Sequence, residues 1–76
     1  MALIDQLAEE LSADVMAAME ELGDDRFHDE VSKVLLAASP TVQEAFMTAM
    51  RFRLAAKRGR LHMEKVLAAK RATPKS

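Results

Sequence analysis

Apolar residues along this chain recur at steps of three and four, and nowhere alternate in the two-residue rhythm of a strand. The first such run is Ile4, Leu7, Leu11, Val15, Ala18 and Leu22, with Asp5, Glu9, Asp14, Glu20 and Glu21 largely off the stripe. Met16 and Met19 widen its apolar surface. It predicts a helix over residues 3–22, closed by Gly23 in a left-handed conformation. A second run, Phe27, Val31, Val34, Leu35 and Ala38, predicts a helix over about 26–38, capped by Asp24 or Asp25. Asp29 and Glu30 suit its first turn, and Asp29 stands four residues before Lys33, the spacing of a helical ion pair. Leu36 points off that stripe.

The third and longest run is predicted to be one helix over residues 40–72. Pro40 suits the first helical position, where its missing N–H costs nothing. Ser39 is the expected cap, with Thr41 and Glu44 as an alternative capping box. The helix carries two apolar lines. One is an uncharged, heptad-like seam of mostly small residues: Ala45, Ala49, Phe52, Ala56, Gly59, Met63 and Val66. The other is Met47, Met50, Leu54, Leu61 and Ala68, on nearly the opposite side. Gly59 weakens a helix interior by roughly 1 kcal/mol relative to Ala. A break there would give four helices. Because Gly59 falls on the small-residue seam, a continuous helix is the favoured reading.

Two apolar lines need neighbours on two sides. A chain of 76 residues makes one domain at most and buries only about 60% of its unfolded surface. It has no cysteine, so disulfides cannot supplement its core, yet 50% of its residues are hydrophobic. Self-association is the expected remedy. The fold class expected is therefore all-α: a helical hairpin (helices 1 and 2) on a long C-terminal helix, joined as a dimeric helical bundle. Laid end to end, helices of about 30 and 20 Å would just cover one side of a helix of about 50 Å. Phe27, Phe46 and Phe52 are expected in the interior. The tail, residues 73–76, is expected to be disordered.

A net charge of −1 conceals a marked asymmetry. Residues 1–38 carry ten acids against Arg26 and Lys33; residues 39–76 carry nine bases against Glu44 and Glu64. Acidic helices packed beside a basic one, within a chain or between copies, would neutralise each other. The sharper alternative is an exposed basic face for a polyanion. No apolar run approaches a membrane span, and Asp5, Glu9 and Glu10 break up any signal-peptide core. A cytoplasmic setting is expected. A basic amphipathic helix can also lie on a membrane, but these apolar lines are split and rich in alanine.

Candidate chemistry is sparse. His28 stands among Asp24, Asp25, Asp29 and Glu30, a set that can bind a divalent metal, but the spacing is not that of a calcium loop. Acids are also what a helix N-terminus ordinarily carries. His62 with Lys65 three residues on resembles a histidine phosphotransfer helix, although Val66 stands where that motif has glycine. Two glycines cannot build a phosphate-cradling loop, and no serine or threonine sits in a nucleophile motif. The six methionines read as core or seam fillers. Without Tyr or Trp there is no ready platform for stacking single-stranded bases.

No enzyme, cofactor, metal or small-molecule substrate is expected. The chain is read as a small non-catalytic interaction module or regulator acting as a homo-oligomer, with another protein as a possible partner. Its interface residues are expected to be Met47, Met50, Phe52, Leu54, Ala56 and Leu61. The alternative is a nucleic-acid-binding regulator whose long helix offers Arg53, Lys57, Arg60 and Arg71 to phosphates along one line.

Overall fold

A computed structural model describes residues 2–72. Three helices follow one another: α1 (Leu3–Leu22), α2 (Phe27–Ala38) and α3 (Pro40–Ala72). All three pack against each other, and no strand is present among the described residues. The disordered tail expected at 73–76 lies outside them. No described helix is long and apolar enough to cross a membrane.

The ends of the helices follow from local chemistry. Gly23 adopts φ 64°, and its N–H donates to the Glu20 carbonyl while Asp24 N–H reaches Met19. This paired closure needs the left-handed conformation that glycine adopts without strain. Asp24 does not cap α2 directly. Its Oδ1 accepts the Arg26 N–H at 2.9 Å, which tightens the turn one residue earlier, and Arg26 becomes the flanking residue. The junction between α2 and α3 is a single residue. Ser39 N–H donates to the Leu35 carbonyl at 2.7 Å to close α2, and its Oγ accepts the Val42 N–H at 3.3 Å to open α3. Pro40 then takes the first helical position.

The hairpin lies beside α3, so α1 runs parallel to it and α2 antiparallel. Arg53 reaches Ser12, while Lys57, Arg60 and Glu64 share a groove with Met16 and Glu20 further along α1. Gln43 near the start of α3 donates to Ser32 in the second half of α2 at 2.9 Å. The core is Val15, Met19, Phe46 and Met50, with Leu11, Met16, Phe27, Val31, Leu35, Met47 and Leu54 packed around it.

Two predicted stripes are displaced. On α1 the buried residues are Ala8, Ser12, Val15 and Met19, whereas Leu7 and Leu22 remain exposed. Small residues at positions 8 and 12 let the backbones of α1 and α3 approach, and that rotates α1 off its larger side chains. On α2, Ser32 is buried and Val34 is exposed. The bond from Gln43 satisfies the Ser32 hydroxyl and makes its burial tolerable. Lys33 forms no ion pair with Asp29. Among the described residues Glu9 pairs with Arg53, and the His28 ring lies 3.5 Å from Asp29.

α1 and α2 lie side by side rather than end to end, so they cover only part of α3. From Arg58 to Ala72 every residue of α3 is exposed. The molecule is accordingly elongated, with extents of 59 × 28 × 14 Å.

Candidate functional site

α3 continues unbroken through Gly59 as a 33-residue helix. A continuous helix fixes the angular position of every side chain at about 100° per residue. Phe46 and Met50, both 0% exposed, mark the direction of the hairpin. Leu54 and Lys57, half-buried, continue that direction, and Leu61 follows at the rim. The line through Met47, Met50, Leu54 and Leu61 is therefore the inward one. Met50 is enclosed within the chain's own core and offers nothing to a second molecule. Met47 and Leu54 pack against that core.

The seam faces the other way. Phe52 lies six residues beyond Phe46, about 240° round the helix, and is 71% exposed. Its expected burial is thus overturned: the hairpin occupies the opposite side. Ala56, Gly59, Met63 and Val66 prolong this open face, and all are exposed. A Cβ built on Gly59 would meet nothing within 4 Å. Of the expected interface residues, Phe52 and Ala56 lie on the free surface, while Leu61 sits at the edge of the covered one. Met63 and Val66 complete the free surface. Both belong to the uncharged seam of the sequence.

The basic line divides as well. Arg53 turns toward α1, where Nε donates to Ser12 Oγ at 2.7 Å and Nη2 donates to the Glu9 carbonyl at 3.3 Å. The Glu9 carboxylate stands 3.9 Å from the same guanidinium. Lys57 is half-buried. With Arg60 it borders a groove of about 530 Å3 that also holds Glu20 and Glu64. Arg71 alone of the four lies far out on α3, beyond the hairpin. The four cations are thus not brought together on one free line. The exposed cations of α3 are instead Arg51, Arg58, Arg60, Lys65, Lys70 and Arg71, spread around the helix.

His28 sits at the start of α2 beside a second cavity of about 330 Å3, with Asp25, Lys57, Leu54 and Leu61 around it. Its Nε2 lies 3.5 Å from Asp29 Oδ1, and its Nδ1 is buried without a hydrogen-bond partner. Among the described residues no three His, Asp or Glu side chains are grouped to hold a metal ion. His62 is exposed on the projecting half of α3.

No protein-family model, curated protein or solved structure matches the chain. What the surface can do rests on its own geometry: a rigid helix with an uncharged apolar face turned to solvent, and, past Glu64, an exposed end that carries Lys65, Lys70 and Arg71.

Proposed function

We propose that this protein is a non-catalytic interaction module, a small regulator or adaptor, that acts as a homo-oligomer through the open face of α3 in the cytoplasm. The observation that carries this reading is the exposure of Phe52 at 71% on an uncharged seam that Ala56, Gly59, Met63 and Val66 extend. Contiguous apolar surface of this kind marks interaction sites on soluble chains. A domain this small also gains most from a partner that enlarges its core.

The test is native mass by light scattering over a range of concentrations. A dimer or larger is expected for the native chain. The Phe52→Lys and Met63→Lys double variant should be monomeric and equally helical by circular dichroism. A native chain that stays monomeric at high concentration would overturn the proposal.

The second reading is a nucleic-acid-binding regulator. Five cations on the exposed far half of α3 favour it. Engagement of Arg53 with Ser12 and Glu9, and of Lys57 in the fold, weakens the phosphate line on which it depended. It predicts duplex binding that falls steeply with salt. Absence of binding at low salt would remove it.

A further inference from the structure

We infer that the cavity between the α1–α2 turn and the middle of α3 binds a small amphipathic carboxylate, with its acid group on Lys57 and His28 and its apolar body on Met19, Leu54 and Leu61. This is independent of the homo-oligomer reading, which uses the open face of α3. Three observations point to it.

The first is shape. The cavity, of about 330 Å3, takes a wall from every helix: Met19 from α1, His28 from α2, and Leu54 and Leu61 from α3. Small-molecule sites run from about 300 to 1,000 Å3 and join an apolar lining to a few converging polar groups. This cavity stands at the lower end of that range, so its occupant is small.

The second is Lys57. It is half-buried, and among the described residues its ammonium has no hydrogen-bond or ion-pair partner. Asp25 lines the same cavity, and Glu20 and Glu64 line the groove that Lys57 also borders, yet none of the three pairs with it. Arg53, one turn earlier, is tied to Ser12 and Glu9. A lysine drawn into a fold ordinarily has a partner.

The third is His28. Its side chain is 14% exposed, and its Nδ1 is buried without a partner. The 3.5 Å from Nε2 to Asp29 is too long for a well-made hydrogen bond, so Asp29 does not dictate which ring nitrogen carries the proton. With the proton on Nδ1 and the ring turned toward the cavity, His28 donates to an oxygen held there. A buried polar group without a partner is uncommon, and two polar groups lacking one beside the same cavity point to a single acceptor.

A carboxylate has the two oxygens this requires. Charge also selects it. Lys57 and Arg58 against Asp25 leave the lining at +2 − 1 = +1, which a monoanion balances and a phosphate dianion exceeds.

The probe is octanoate, titrated into the isotope-labelled native chain and followed residue by residue in amide correlation spectra. Saturable shifts are expected at Met19, His28, Leu54, Lys57 and Leu61, with a dissociation constant of about 1 mM, and none at Phe52 or Met63. Octanol, equally long and uncharged, should bind about tenfold more weakly. Lys57→Met keeps the apolar stem and should weaken octanoate by about tenfold while leaving octanol unchanged. Shifts centred on Phe52 and Met63 would show that the acid merely coats the open seam and would overturn the inference. So would the absence of any saturable shift. Octanol binding as well as octanoate, or a Lys57→Met chain of native helicity that keeps its affinity for octanoate, would reduce the site to a plain apolar cavity beneath a solvated lysine and also overturn it. The map and the octanol comparison use the native chain, so they decide the matter even where Lys57→Met does not fold.

Discussion

Arg53 Nε donates to Ser12 Oγ at 2.7 Å, joining side chains 41 positions apart on two parallel helices. Ser12 is fully buried, and its hydroxyl in turn donates to the Glu9 carbonyl at 2.8 Å. The guanidinium therefore satisfies a polar group that the close approach of α1 and α3 takes out of water. Hydrogen bonds to a charged partner contribute about 1.5–3 kcal/mol when well made. Because Arg53 is half-exposed, the lower end applies. Arg53→Met should lower stability by about 1–2 kcal/mol in urea unfolding. A stability equal to that of the native chain would show the tie to be ornamental.

Phe46 and Phe52 offer a sharp contrast on one helix. Phe46 is 0% exposed and Phe52 is 71% exposed. Truncating a core Phe costs about 3–5 kcal/mol, a large fraction of the stability of a domain this size. Phe46→Ala should leave the chain largely unfolded by circular dichroism. Phe52→Ala should preserve helicity and weaken only association, measured by sedimentation at falling concentrations. Equal loss of helicity in both variants would contradict the placement of the core.

Gly59→Ala separates the helix from the assembly. Alanine favours a helix interior by about 1 kcal/mol over glycine, and no neighbour within the chain obstructs it. At concentrations low enough to hold the protein monomeric, the melting temperature should rise by about 4–8 °C. Gly59→Lys, which puts a charge on the uncharged seam, should weaken association at high concentration. A melting temperature lowered by Gly59→Ala would indicate a constraint on Gly59 within the single chain.

The helices were legible in the sequence because their signals are local. Gly23 stops α1 and Ser39-Pro40 starts α3, and each acts through its own backbone and side chain. The continuity of α3 was legible because Gly59 falls on the uncharged seam of small residues. Which apolar line α1 and α2 would take was not. Met50 and Phe52 are equally apolar in sequence, and only the packing of a hairpin on one side makes one of them core and the other surface. The shift on α1 from Leu7 to Ala8 and Ser12 has a similar origin. Backbone approach rewards small residues, whereas a hydrophobic tally rewards large ones. The bond from Arg53 to Ser12 gave no sequence signal, because a helical arginine on a basic run is ordinarily solvated.

The far end of α3 has a consequence for order. Beyond the hairpin every residue of α3 is exposed, so its turns gain little from packing. A segment of about a dozen residues is marginally helical on its own in water. In a solitary chain its amide protons should therefore exchange with solvent far faster than those around Phe46 and Met50, although all belong to one helix. When another molecule lies against it, the same amides should slow. Deuterium uptake along residues 62–72 then becomes a gauge of occupancy, recorded by the protein itself without any label at the interface.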